Sequence, residues 1–543
     1  MFGLFEIQKP VNEPIFDYSK GTAAAAELKN KIEELKSMEV EIPLLIGGKE
    51  IFTGNTGYCV SPHNHGKKLA KYHKAGEKEV KMAIDAAMKA KKIWDGFTYS
   101  ERASIFMRAA EILSTSWRST VNAATMLGQS KNVFQAEIDS VCESVDFFNF
   151  NAYNMTSIYK NQLSSDKGVW NYTEYRPLDG FVFAVTPFNF TAIASNLISA
   201  PAVMGNTIVW KPAMTALYSS YFIMKLLQKA GLPDGVLNMI PGPGSIVGPM
   251  VYKDPNLAGI HFTGSTEVFE NMWKTVGENI SSYRCYPRLV GETGGKDFIF
   301  AHPSAEIRSL GTALIRGAFE YQGQKCSACS RAYIPKSIWK DLEGMLVSEI
   351  KQIKMGDVED FSVFMGAVID KSSFDNIKSY IDYAKNSKDA KIIAGGGCDS
   401  SVGYFVEPTV ILTTDPKFKS IREEIFGPVL TIYVYEDADF EKTLEICDQT
   451  SPYALTGSIF AEDRLAVKKA FDVLRYSAGN FYINDKCTGA VVGQQPFGGA
   501  RKSGTNDKAG SYLNLVRWTS ARTVKETFCP ATDFRYGYMN TWR

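Results

Sequence analysis

The sequence predicts an α/β protein in which two doubly wound, mostly parallel sheets lie side by side. Three observations carry this expectation. Strand-like and helix-like segments alternate from residue 179, a second such series follows Pro287, and helices with apolar residues at three- and four-residue spacing precede both.

Taken in order, residues 1–45 read as an extended lead-in and a charged helix, AAAAELKNKIEELKSME. Residues 76–160 read as helices, with VKMAIDAAMKAKKIW and ERASIFMRAAEILS the clearest. The first alternating series runs strand GFVFAVT, helix TAIASNLISAPAVMG, strand NTIVWKP and a helix closed by Gly231. VLNMI, a Gly-rich turn, GIHFTG and a helix from Ser265 complete it. The second series opens on RLVGETGGKDFIFAH, passes through a helix ending near FEY, reaches Cys326 and continues in βα units to about 485. The tail YLNLVRWTSARTVKETF alternates like a strand, pairing either with another element or subunit or with its own sheet. Ligands are expected in the crevice between the two units.

Composition narrows the function classes. The chain has 543 residues, 45% of them apolar and 22% charged, and a net charge of +1. That describes a globular protein with a large core, acting on a small molecule, with no nucleic acid and no membrane among its partners. Nine cysteines without framework spacing indicate free thiols in a reducing compartment. Cys326 and Cys329 form a single C-x-x-C with no matching histidine spacing, so no metal is expected. MFGLFEIQKPVNEP lacks the pattern of a presequence, which points to the cytoplasm, or to the mitochondrial matrix in a eukaryotic source.

Four short motifs suit chemistry. Cys326, in GQKCSAC at a helix-to-strand junction, has the setting of an exposed thiol with a lowered pKa. Glu292 lies in GETGGK, where burial would raise a carboxyl into the range of a general base. Asn189, in TPFNF, can offer an amide donor to an oxyanion. Lys211 and the Gly264-Ser265 helix start suit a dinucleotide's ribose and pyrophosphate. The first three have plainer readings alone: a buried thiol, a solvated or ion-paired carboxylate, a helix cap. The stretch 241–244, PGPG, does not match a dinucleotide fingerprint.

In order along the chain, PFNF, KPA, FTGS, GETGGK, GQKCS, EEIFGPV, YALTG and PFGGARKSG resemble the aldehyde dehydrogenase superfamily over roughly residues 40–525. The resemblance implies an aldehyde dehydrogenase-like fold: a Rossmann-type NAD-binding domain at 46–287 with an oligomerisation hairpin near 155–178, a catalytic domain at 288–490, and a C-terminal return and oligomerisation strand at 491–543. It implies Cys326 as nucleophile, Glu292 as general base and Asn189 as oxyanion donor. Thr186, Lys211, Gly264, Ser265, Thr266, Glu267, Val268, Glu424 and Phe426 would hold NAD. Met214 stands where many members carry a Glu that repels a 2′-phosphate, so NADP remains admissible beside NAD.

FEYQGQKCSACSR, YINDKCTGAVVGQQPFGGARKSGTNDKAG and QAEIDSVCESVDFFNFN look like the 1-pyrroline-5-carboxylate dehydrogenase branch. That resemblance implies oxidation of glutamate γ-semialdehyde, with Ser327, Gly489 and Ala490 gripping the α-carboxylate. Phe497 would pack on the aliphatic chain, with Glu143 and Lys325 bordering the pocket. It further implies a monofunctional enzyme, homodimeric or larger. The rivals are a dehydrogenase of another short semialdehyde such as succinic semialdehyde, a cysteine hydrolase, which would need a paired histidine, and a silent binding protein, which would have lost one of the three catalytic residues.

Overall fold

The computed structural model describes residues 5–542. Its first seven-stranded sheet is centred on Phe181–Val185, Thr207–Lys211 and Leu257–Thr263, which pair in parallel. These strands are runs of Val, Ile, Phe, Ala and Trp, buried on both faces, as a helix-covered parallel sheet requires. Helices Thr191–Val203, Leu217–Lys229 and Thr266–Glu278 connect or flank them.

Both ends of this sheet cross the domain limits expected from sequence. Arg288–Glu292 pairs in parallel with Leu257–Thr263, so the chain leaves the first sheet after Glu292 and not at 287. Leu44–Ile46 pairs antiparallel with Lys49–Ile51 and with the strand Leu237–Met239, drawing the end of the lead-in into the same sheet. The helix Ala23–Ser37 also belongs to this body, burying Ala25, Leu28, Ile32 and Leu35 at helical spacing.

The second seven-stranded sheet contains Asp297–Ala301, Cys329–Pro335, Val429–Tyr435 and Thr456–Phe460 at its centre, all parallel, with Ala390–Ala394 antiparallel at one edge. The third feature is a ribbon in which Thr519–Thr527 pairs antiparallel with Val169–Pro177 over nine residues. It corrects two expectations. The region 155–178 is not a hairpin, because helical apolar spacing carries the helix Glu143–Lys160 through Ile158 and leaves one strand. The tail is not one continuous strand: Ser511 caps a short helix, Tyr512–Val516, and the strand starts at Thr519.

Between the turn Val133–Ala136 and the helix Glu143–Lys160, residues Glu137–Cys142 wind as a π-helix, a rare form concentrated at functional sites. It carries Asp139 into the crevice between the two sheets and leaves Glu143 on the next turn.

Candidate active site

Cys326 sits where two cavities meet. It is half-buried, and with Phe262 and Thr263 it forms the wall common to both. The loop that presents it leaves the helix Ile307–Phe319 through Tyr321 and Gln322, both left-handed at φ 50° and 56°. That strain is held by the Gln322 amide, which donates to the carbonyls of Ser130 at 3.0 Å and Ala367 at 2.8 Å and accepts from Gly366 N–H at 3.1 Å. The paired glycines of GETGGK have separate reasons. A Cβ at Gly294 would lie 2.3 Å from Glu424, and one at Gly295 would lie 2.1 Å from the Cys326 carbonyl oxygen.

The expected lowered pKa at Cys326 is not found. Burial pushes the thiol well above its ordinary range, and the carboxylates of Asp297, Glu292 and Glu424 add to the effect. A base must therefore take the proton. Glu292, at the end of Arg288–Glu292, lines the smaller cavity and accepts a hydrogen bond from Gly499 N–H at 3.2 Å. Burial holds its carboxyl well above the usual range, with Gly499 and Lys508 only partly opposing. Asn189 is no helix cap: the cap of Thr191–Val203 is Phe190, and the Asn189 amide donates to the Gln324 carbonyl at 3.1 Å, two residues from Cys326.

The larger cavity, about 930 Å³, runs along the carboxyl ends of the first sheet. Thr186, Lys211, Gly264, Ser265, Glu267, Val268, Glu424 and Phe426 all line it. Thr266 does not; its hydroxyl is 3.4 Å from both Gly294 N–H and the Tyr453 hydroxyl. The helix Thr266–Glu278 opens onto this cavity, its first turn capped by Ser265. The Lys211 ammonium has no hydrogen-bond or ionic partner among the described residues, and burial lowers its pKa. Glu424 accepts from Gly295 N–H at 2.9 Å, and burial raises its carboxyl to about 7. Sequence reasoning missed the far slot between Gly244–Tyr252 and Thr266–Glu278, lined by Gly244, Ser245 and Gly248. Its signal was the PGPG stretch: Gly244 and Gly248 fall one helical turn apart.

The smaller cavity, about 370 Å³, brings together Ser327, Gly489, Ala490, Phe497, Glu143 and Lys325. Ser327 Oγ is 2.7 Å from Thr488 Oγ1, and Gly489 is left-handed at φ 93°. Neither the Gly489 nor the Ala490 N–H meets a protein acceptor among the described residues. Around them lies a buried charge network. Lys325 is 3.3 Å from Glu320, which also accepts from Arg316 at 2.8 Å. Burial alone would lower the Lys325 pKa, but Asp139, Glu320 and Glu143 together outweigh it, so the ammonium stays charged. Glu143 is shifted well upward by burial and by Asp139, against the pull of Lys131 and Lys325. Lys131 pairs with Asp139 beneath the aromatic faces of Phe190 and Tyr321, at 4.3 and 3.8 Å. Arg316, Glu320, Lys486 and the N-terminal residues Asn12, Glu13 and Ile15 complete the walls and were not anticipated.

Residues 52–524 match the model of the aldehyde dehydrogenase family. The chain is 53% identical over 541 residues to the mitochondrial delta-1-pyrroline-5-carboxylate dehydrogenase of Dictyostelium discoideum, covering 99% of this chain and 97% of that protein. It is 47% identical to the mitochondrial enzyme of that name from Homo sapiens, covering 98% of this chain and 94% of that one. Among solved structures it resembles the delta-pyrroline-5-carboxylate dehydrogenase of Mycobacterium tuberculosis bound with NAD, at TM-score 0.96 and 50% identity, covering 99% of this chain and all of the other. A family model and full-length relatives thus agree with the cysteine-centred double cavity, and the chain belongs to the aldehyde dehydrogenase family.

Proposed function

We propose that this protein oxidises L-glutamate γ-semialdehyde, the open form of 1-pyrroline-5-carboxylate, to L-glutamate with NAD, the second step of proline degradation. The observation that carries the reading is the junction at Cys326. One side offers a dinucleotide-sized cavity, and the other a small cavity with two unengaged N–H groups and a hydroxyl pair suited to a carboxylate.

The larger cavity fits a dinucleotide in its donor set. A capped helix N-terminus suits the pyrophosphate, the Lys211 ammonium one ribose and the Glu424 carboxylate the other. Bound there, NAD supplies the hydride acceptor. The chain's own residues do the rest. Glu292 takes the proton from the Cys326 thiol, and the sulfur bonds to the aldehyde carbon. The Asn189 amide and the Cys326 N–H hold the oxygen as it becomes an oxyanion. Once the carbon is oxidised to the thioester and Glu292 has released the thiol's proton to solvent, Glu292 deprotonates a water that attacks the thioester, and Cys326 leaves as the thiolate. Meanwhile Ser327, Gly489 and Ala490 fix the α-carboxylate, Phe497 covers the aliphatic chain, and Lys325 with Glu143 sets the charge of the pocket. Met214 packs against the core and offers no carboxylate that would repel a 2′-phosphate, so NADP is tolerated beside the preferred NAD.

The ribbon of Val169–Pro177 and Thr519–Thr527, with Trp170 exposed, is the surface on which a homodimer or larger assembly forms. Nine unpaired thiols suit the cytoplasm or a mitochondrial matrix.

The test is NADH formation from DL-pyrroline-5-carboxylate beside a panel of semialdehydes that includes succinic semialdehyde. The expected result is the highest kcat/KM for the pyrroline. A higher value for succinic semialdehyde would overturn the substrate and leave the dehydrogenase standing.

A further inference from the structure

The N-terminal segment forms part of the wall of the smaller cavity through Asn12, Glu13 and Ile15. Asn12 there joins two remote parts of the chain through three partners. Its Nδ2 donates to Asp146 Oδ2 and to the Val492 carbonyl, each at 2.8 Å, and its Oδ1 accepts from Gln494 Nε2 at 2.8 Å. Both partners of Nδ2 are acceptors and the partner of Oδ1 is a donor, so the network fixes the amide's orientation.

The segment is pinned independently of Asn12. Glu13 N–H donates to Asp146 at 2.8 Å, Phe16 N–H to Glu137 at 2.9 Å, and the Tyr18 hydroxyl to Glu137 at 2.8 Å. Arg118 donates to the Pro14 carbonyl at 2.6 Å and stacks on the Phe16 ring at 3.5 Å. The turn that Asn12 reaches is held largely by bonds within itself: Val491 N–H donates to Gln495 Oε1 at 2.9 Å, and the Val491 carbonyl accepts from the Gln494 and Gln495 N–H groups at 3.0 and 2.9 Å. It is tied at one end by the Thr488–Ser327 hydroxyl pair. At the other end the Pro496 carbonyl accepts from Asn480 Nδ2 at 3.1 Å and Phe497 N–H donates to the Ala509 carbonyl at 3.1 Å; toward the helix Glu143–Lys160 the turn is held by Val492 packing against Phe147 and Phe150, and by Asn12. Gly489 and Ala490 lie between these two ends.

We infer that Asn12 is a positioning residue that sets the preference for carboxylate-bearing aldehydes, by holding the 489–495 turn against the helix Glu143–Lys160. The inference rests on the reading of Gly489 and Ala490 as the carboxylate anchor. Displacing two donors by a fraction of an ångström weakens the grip on the carboxylate. The aldehyde end, held at Cys326 and Asn189 by other elements, keeps its geometry.

The experiment measures kcat and KM for DL-pyrroline-5-carboxylate and for an unsubstituted aldehyde of similar length, in wild type, Asn12→Ala, Asn12→Asp and Gln494→Ala. Asn12→Ala is expected to raise KM for the pyrroline about tenfold with kcat held, the scale of one or two lost positioning hydrogen bonds. The preference ratio should narrow by the same factor. Gln494→Ala, which keeps the bond to Asp146, should act in the same direction with a smaller effect. Asn12→Asp, which sets an acceptor against two acceptors, should act most strongly. A parallel fall for both substrates, or no change, overturns the inference; if Asn12→Ala does not fold, Gln494→Ala decides it by the same criteria. A wild type without preference for the carboxylate overturns the anchor itself, whereas a preference unmoved by the variants overturns only the role of Asn12.

Discussion

The two cavities that meet at Cys326 are made in opposite ways. The larger takes most of its walls from consecutive turns between residues 183 and 294, at the carboxyl ends of one sheet. The smaller collects residues from the N-terminal segment, the π-helix and the helix after it, the helix Thr191–Val203, strand ends of the first sheet, the end of the helix Ile307–Phe319 with the loop to Ser327, and the 486–497 turn. The first relies on backbone, a helix terminus and a few isolated ionisable groups. The second is surrounded by ion pairs with almost no water contact: Lys131 is 0% and Asp139 3% exposed. The difference teaches where each is fragile. An isolated group facing a cavity can be removed at a cost to ligand binding, whereas one member of a buried pair cannot be removed without stranding the other.

The largest effect is expected at the shared wall. Cys326→Ala should lower turnover by more than about a thousandfold while leaving both cavities, and hence NAD affinity, intact. Steady-state rates and NAD titration of the same preparation check this, and activity within tenfold of wild type would sink the nucleophile assignment. The comparison itself is tested by two lysines. Lys131→Met leaves Asp139 unpaired beside Glu143 and should cost about 3 kcal/mol of stability, read as a lower urea midpoint. Lys211→Met, with no partner to strand, should leave the midpoint in place and weaken NAD binding about tenfold. Equal losses of stability would erase the contrast.

The last effect concerns pH. Glu424 titrates near 7 in the folded protein, raised by burial from the ordinary carboxylate range, so the folded state holds its proton more tightly than the unfolded chain. Its contribution to stability is complete at low pH and is lost as pH rises through about 7. Glu424→Gln has no such loss. The variant and wild type should therefore diverge between about pH 4.5 and 7, the variant becoming relatively more stable by on the order of 3 kcal/mol. Melting curves at pH 5 and 8 read the divergence; an unchanged difference between the two pH values would refute it.

The contrast between the cavities also explains what sequence could reveal. The strands of both sheets were legible because their apolar runs and closing glycines are local signals, and Lys211, Ser265 and Glu292 sit at strand ends that those signals mark. The domain limit failed by one strand because Arg288–Glu292 looks like the start of the second series, and only pairing reveals its sheet. Asn12 carries no local signal at all; its meaning lies in partners 134 and 480 residues away. Cys326 misled in a different way. Its neighbour Lys325 suggested a lowered pKa, but that ammonium is engaged by Glu320, and the thiol meets burial and three carboxylates.

The common wall of Phe262, Thr263 and Cys326 has a kinetic consequence. Hydride passes directly from the aldehyde carbon to its acceptor, so the two ligands must meet at this wall while each is otherwise held by its own chamber. A mutation deep in one chamber can therefore change the dissociation rate of one ligand, and with it the step that limits turnover, without touching the chemistry.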